Sequence, residues 1–128
     1  MPELPEVETV KESLKCRLVG RKIKNVNILW DNIIAYPSKE EFIKDINDKI
    51  IIDIKRRGKF LLFDLDDYYL LSHLRMEGKY FFKNHEDEIN KHEHVIFDLD
   101  NDEELRYMDT RKFGKMYFIK KEDIDNIG

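Results

Sequence analysis

From residue 49 onward the apolar residues recur at every second position, and that alternation limits the chain to a mainly β fold. Ile50, Ile52 and Ile54 share one face of an extended segment, and Val95, Phe97 and Leu99 share another. FLLFDL, then Asp66-Asp67, then YYLLSHL reads as a hairpin, and KYFFK, EELRYMD and KMYFIK are further strands. The opening of the chain follows a different period. Leu4, Val7, Val10, Leu14 and Leu18 form one stripe of an amphipathic helix. Pro5 suits its first turn, where a missing N–H costs nothing, and Gly20 stops it. Val26, Ile28 and Trp30 then alternate as one strand face. Ser38 and Glu41 in PSKEEF form a capping-box pattern ahead of a short helix that buries Phe42, Ile43 and Ile46. Two helices and about eight short strands predict an antiparallel β-sandwich flanked by the helices.

At 128 residues the chain suits one domain. Apolar residues make up 41% and charged residues 39%, a globular rather than disordered composition. No apolar run approaches the roughly 18–20 residues of a membrane span, so no membrane partner is expected. The acidic, proline-broken first residues argue against a secretory signal. One cysteine, Cys16, excludes an internal disulfide and any cysteine-cluster metal site within the chain, and a cytoplasmic setting is the expectation. The net charge of −4 argues mildly against nucleic acid, but its distribution matters more. Acidic residues collect in DLDD (64–67), HEDE (85–88) and DLDNDEE (98–104). Basic residues collect in KRRGK (55–59) and in RYMDTRKFGKMYFIKK (106–121), where six oppose one acidic residue. A molecule with one basic face reads this way, and so do ordinary solvated faces.

The chain opens MPELPEVETV, which places a secondary amine at Pro2 once Met1 is removed, with Glu3 beside it and Glu6 one helical turn on. At pH 7 roughly a tenth of an ordinary α-amine is neutral, against roughly 0.04% of a lysine. A secondary amine adds to an aldehyde-level carbon to give an iminium with no N–H to lose, which stays an electron sink for elimination. Glu3 can serve as acid or base, and the first helical turn favours the charge of Glu6. Each residue alone is equally at home in a well-capped helix start. The pair of histidines in HEH (92–94) is weak evidence for a metal, because two ligands at that spacing do not make a site.

PELPEVET at the extreme N-terminus resembles the start of the formamidopyrimidine-DNA glycosylases, bacterial base-excision enzymes that remove 8-oxoguanine and ring-opened purines. The resemblance continues in order through RRGKFLLFDL (56–65), SHLRMEGKY (72–80), KHEHVIFDL (91–99) and DTRKFGKM (109–116). The sister endonuclease VIII family, with its pyrimidine substrates, begins PEGPEI, so Leu4 and the RKFG segment favour the formamidopyrimidine branch. Read through the resemblance, Pro2 is the nucleophile that attacks C1′ of the damaged nucleotide, Glu3 its acid–base partner and Glu6 a supporting carboxylate. Lys59 contacts phosphate near the lesion, and His73 and His92 touch the DNA backbone. Met76, Arg111 and Phe113 are the residues that fill the gap left by an everted base. Their types suit the task, since an apolar side chain and an aromatic wedge can refill a stack and Arg111 can donate to the acceptor edge of cytosine. Arg75 departs from the glycine common at its position.

The resemblance implies a monomeric bifunctional glycosylase and AP lyase working by β,δ-elimination on damaged double-stranded DNA. It also implies that 1–122 is the catalytic domain and that 123–128 begins a connection to a helical and zinc-finger domain. One zinc is expected there and no cofactor or metal within this chain. Two other classes fit parts of the sequence: an inert DNA-binding fragment, and an N-terminal-proline enzyme of tautomerase type acting on keto acids. The tautomerase reading leaves KRRGK and DTRKFG unexplained.

Overall fold

The structure, a computed structural model, describes residues 4–126, with side chains described for 6–124. Pro2 and Glu3 lie outside the described residues, as does the side chain of Leu4. In chain order the elements are α1 (Leu4–Leu18), β1 (Ile23–Ile28), a 3-10 turn (Asp31–Ile33), β2 (Ile34–Tyr36), α2 (Lys39–Ile46), β3 (Asp53–Arg57), β4 (Phe60–Asp64), β5 (Tyr68–His73), β6 (Lys79–Asn84), β7 (Glu93–Leu99), β8 (Glu103–Met108), β9 (Lys115–Lys120) and a second 3-10 segment (Lys121–Asn126). The strands form two sheets, β1-β7-β8-β6 and β2-β9-β5-β4-β3. Every pairing is antiparallel except that of β2 with β9. The expected sandwich with two flanking helices is therefore present, with nine strands among the described residues. The additional strand is β2, whose three residues are too few to show an alternation.

The helices form for the reasons their sequences carry. Val7, Leu14 and Leu18 of α1 are buried, and the helix packs over β3 and β4. Gly20, at φ 91°, takes the left-handed conformation that ends it. In α2 the Ser38 side chain accepts from the Glu41 N–H at 3.2 Å, the first half of a capping box. Its Phe42 and Ile46 are buried, and Phe42 meets the Phe118 ring edge-on at 5.4 Å. Between the sheets, Val26, Phe97 and Leu105 pack in one cluster with Ile54, Phe63, Leu70 and Phe118.

Two expectations change. Ile50 and Ile52 do not share the buried face of Ile54; both are exposed, and Ile51 and Ile54 are buried instead. The cause lies in the backbone. Ile50 bridges to Lys22 and Ile51 exchanges bonds with Gly20 and Arg21, whereas Ile52 N–H already donates to Asp64 of the other sheet. A segment that changes sheets loses its strand phase. Trp30 likewise lies beyond the end of β1 and opens the 3-10 turn instead of continuing the strand.

Antiparallel pairing sorts the charged runs. Phe60, His73 and Lys115 stand side by side where β4 begins, β5 ends and β9 begins. In the other sheet Lys79, Met108 and Glu93 stand side by side where β6 begins, β8 ends and β7 begins. The β5–β6 and β8–β9 connections cross between the sheets at this end, together with the β3–β4 turn that carries Gly58 and Lys59. DLDD turns at the opposite end of β4 and β5, and DLDNDEE at the opposite end of β7 and β8. The long basic run is divided in the same way: Lys121 at the far end of β9 pairs with Asp64 at 2.7 Å, leaving Arg111, Lys112 and Lys115 at the near end.

Helix α1 begins at that near end too. Glu8 pairs with Arg56 at 2.9 Å and Lys15 with Asp53 at 3.2 Å, so the helix runs antiparallel to β3. Seven helical residues rise about 10.5 Å and three strand residues about 10 Å, which lets both pairs form at once.

Candidate functional site

The near end carries most of the basic loop residues, and each of its loops is built differently. Lys59 is exposed at the β3–β4 turn. His73, at the end of β5, is half-buried against the edge of Phe60 with ring centroids 4.8 Å apart. The Arg75 N–H donates to His73 Nδ1 at 3.2 Å. Burial, then the positive charges of Arg75 and Lys59, hold this imidazole below its ordinary value. At neutral pH the ring is therefore neutral, with Nδ1 accepting and the proton on Nε2, a donor suited to an anion. Arg75 sits at φ 57°, in the left-handed region where a side chain is strained. The glycine common at this position in the resembled family is the residue that geometry prefers.

Met76 follows at the tip of the β5–β6 connection, 64% exposed. Phe113, in the β8–β9 connection, is 53% exposed, and Arg111 beside it is also exposed. Two large apolar side chains left in water on adjoining charged loops are not core residues. Arg111 Nε lies 3.8 Å from Glu77 Oε1, an ion pair that spans the two loops. Lys112, at φ 60°, lies over the Trp30 ring at 5.4 Å, with Lys115 over the same ring at 5.5 Å.

The base of the β8–β9 loop is organised by Asp109, which is fully buried. Its Oδ1 accepts from the Arg111 N–H at 3.1 Å, and its Oδ2 accepts from the Gly114 N–H at 2.7 Å and from the Tyr107 hydroxyl at 3.2 Å. Its own N–H donates to the His92 carbonyl at 3.0 Å, and its carbonyl accepts from His94 Nε2 at 2.8 Å. His92 is half-buried at the near end, whereas His94 is buried and committed to that carbonyl, so HEH does not converge on a common point. Glu6, in the first turn of α1, is exposed at the same end. Glu6, Lys59, His73, Met76, His92, Arg111 and Phe113, scattered over 108 positions of sequence, thus come to one end of the sandwich, while Pro2 and Glu3 lie outside the described residues.

Sequence reasoning missed two groups. Tyr107 and Asp109 carried a signal only in hindsight, as a polar-tipped ring and an acid just before a basic loop. The second group is Arg106 and Glu104 of β8 with Glu93 of β7, buried beneath residues 85–92. Alternation alone would leave that face of β8 in water. His85, Asp98 and Glu104 also bring ligand-capable atoms within 4.8 Å of one another, but Glu104 is already bonded to the Arg106 guanidinium at 2.8 Å.

The family described as formamidopyrimidine-DNA glycosylase N-terminal domain matches residues 1–116. The chain is 52% identical over 118 residues to the formamidopyrimidine-DNA glycosylase of Oceanobacillus iheyensis, covering 91% of this chain and 42% of that protein. It is 52% identical over 121 residues to that of Bacillus subtilis, covering 94% and 44%. The chain thus spans somewhat under half the length of these curated relatives. Among solved structures, that of the Lactococcus lactis Fpg with a FAPY-dG containing DNA superposes with a TM-score of 0.92 at 39% identity, over 97% of this chain and 46% of that one. The Lactococcus lactis Fpg with an abasic site containing DNA gives 0.92 at 39% identity, over 98% and 46%. On this agreement of sequence and fold, the chain belongs to the formamidopyrimidine-DNA glycosylase N-terminal domain family.

Proposed function

We propose that the chain is the nucleophile-bearing domain of a base-excision DNA glycosylase and AP lyase acting on oxidised purines in double-stranded DNA. Residues 1–122 form that domain, and 123–128 lead toward the remainder of the protein. The observation that carries the reading is the near end itself. Exposed Met76, Arg111 and Phe113 project from two adjoining loops beside His73 and Lys59, at the end where α1 begins, two residues after Pro2.

Everting a nucleotide costs a few kcal/mol and leaves a hole in the stack with an unpaired partner base. Met76 and Phe113 supply apolar volume for that hole, which is also what would bury them. Arg111 exchanges its loose pairing with Glu77 for the acceptor edge of the orphaned cytosine. Lys59 holds a phosphate near the lesion, and His73, through its Nε2–H, and His92 hold the DNA backbone, positioning without reading sequence. The Pro2 nitrogen attacks C1′ as the C1′–base bond breaks, and the base leaves with a proton. Glu3 moves protons at the sugar, and Glu6 supports the charge distribution there. The sugar ring opens to an iminium whose positive nitrogen accepts the electrons released when a C2′ proton is removed and the 3′-phosphate departs. A second elimination expels the 5′-phosphate. No step needs a metal. The zinc of the resembled family does not fit this chain's donors, since Cys16 stands alone and exposed on α1 and the His85, Asp98 and Glu104 group offers no thiolate.

The test is covalent trapping. Protein processed at Met1 should give a borohydride-stable adduct with abasic-site DNA. Pro2→Gly should retain a little through its primary amine, and one extra N-terminal residue should abolish it. Undiminished trapping by blocked protein sinks the assignment of Pro2. Duplex binding without any trapping would leave an inert DNA-binding domain in its place.

A further inference from the structure

Met76 and the Arg111–Phe113 pair sit on two loops that cross between the sheets, and strand pairing sets their ends side by side, His73 by Lys115 and Lys79 by Met108, but leaves their tips to be positioned. Beneath the exposed Arg111–Glu77 pair, both loops also close on one buried atom. A Cβ on Gly114 would lie 1.8 Å from the Tyr107 hydroxyl oxygen, and a Cβ on Gly78 would lie 2.5 Å from it and 2.4 Å from the Leu74 carbonyl. Both distances are far inside van der Waals contact, so glycine lets each loop close on that oxygen.

Tyr107 itself is held from below. It is fully buried, its ring lies 5.1 Å from that of Tyr80, and the Tyr80 hydroxyl donates to Ser72 Oγ at 2.6 Å, next to His73. At its tip the hydroxyl donates to Asp109 Oδ2, which also receives the Gly114 N–H. A phenyl ring would fill the same apolar space. A buried hydroxyl is costly without a partner, and this one has its partner in the loop base and its neighbours in both loops. Burial keeps the phenol protonated and therefore a donor.

We propose that the Tyr107 hydroxyl is a positioning element that sets the two loops in register, so that Met76 and the Arg111–Phe113 pair enter one gap in the base stack together. This rests on the glycosylase reading above. Without the hydroxyl, Asp109 still holds the Arg111 and Gly114 N–H groups, so the β8–β9 loop keeps its internal bonds. What is lost is the buried contact shared by the loops, which leaves only the exposed Arg111–Glu77 pair between them, and with it the placement of Arg111 on the orphaned base.

The experiment uses the full-length protein, Met1 removed, and compares it with Tyr107→Phe. Three quantities are read: the thermal midpoint, single-turnover excision of 8-oxoguanine opposite cytosine and opposite adenine, and cleavage at a pre-formed abasic site. Loss of one charge-assisted hydrogen bond in the eversion step corresponds to about tenfold slower excision. The midpoint and abasic-site cleavage should stay close to those of the parent, and the preference for cytosine over adenine should shrink. A second variant tests the contact. Gly114→Ala should be severely impaired, and combining it with Tyr107→Phe should recover part of the loss, because the nearest obstructing atom is gone while the ring carbon at 2.9 Å remains. The proposal is overturned if Tyr107→Phe excises and discriminates like the parent, or if it loses both activities equally along with thermal stability. Failure of the parent to excise any oxidised purine would instead refute the glycosylase reading, and it would be seen without any variant.

Discussion

Replacing Arg106 with methionine should remove a large part of this domain's stability, although the arginine side chain is fully buried and cannot itself meet DNA. The guanidinium is completely buried and makes six contacts of 2.8–3.0 Å: two to Glu104 Oε1, one to Glu93 Oε1, and one each to the carbonyls of Asn84, Asp87 and Glu88. It therefore neutralises two buried carboxylates and fastens residues 84–93 over the outer face of β8. Methionine fills much of the volume but leaves both carboxylates without their cation. Breaking a buried pair from one side costs about 3–5 kcal/mol. Glu93 would retain the Asn90 N–H and Glu104 would retain His85, and the loop carbonyls can turn to water. The lower end of that range is therefore the expectation, about 3 kcal/mol, against a total of about 5–15 kcal/mol for a domain. With a urea slope near 2 kcal/mol/M the unfolding midpoint should fall by about 1.5 M. Adding Glu93→Gln to the methionine variant should restore part of the loss, because one stranded charge is then gone. Amides of residues 84–92 should exchange faster in the single variant. A midpoint drop below about 0.5 M would refute the view that the cluster holds the loop.

Two histidines should move the stability of the domain with pH in opposite senses. His73 is depressed by burial and by Arg75 and Lys59, so its contribution falls as pH drops through the unfolded value near 6.5. His85 is raised, first by its hydrogen bond to Glu104, so its contribution is present below that unfolded value and is lost as pH rises through the folded one. Ring-proton NMR should order them His73 below His85, and the reverse order would contradict the geometry of both. Arg75→Gly should leave stability unchanged or raise it by up to about 1 kcal/mol, since it relieves a left-handed side chain. The same variant should bind DNA more weakly and with a shallower salt dependence; an unchanged salt slope would place Arg75 away from phosphate.

The sheet content, the two helices and the identity of the loops were legible in the sequence because each depends on local periodicity. Alternation marks a strand wherever one face is wet and the other dry, and the α1 stripe and the Ser38 cap are set within a few residues of themselves. The resemblance named Met76, Arg111 and Phe113 together, and the structure leaves all three exposed on two adjoining loops. Periodicity failed where an element serves two surroundings at once. Ile50 and Ile52 lie where the backbone passes from one sheet to the other, so parity changes and the expected inward face turns outward. Arg106 and Glu104 occupy the face that alternation assigns to water, and only the loop folded over β8 buries them. The charge runs were visible as blocks, but their separation required the topology, because antiparallel turns send alternate connections to opposite ends. The meeting of Gly78 and Gly114 at one hydroxyl was beyond any reading of the chain. It joins residues 36 positions apart through a third residue between them, and such a three-body contact exists only once both sheets have packed.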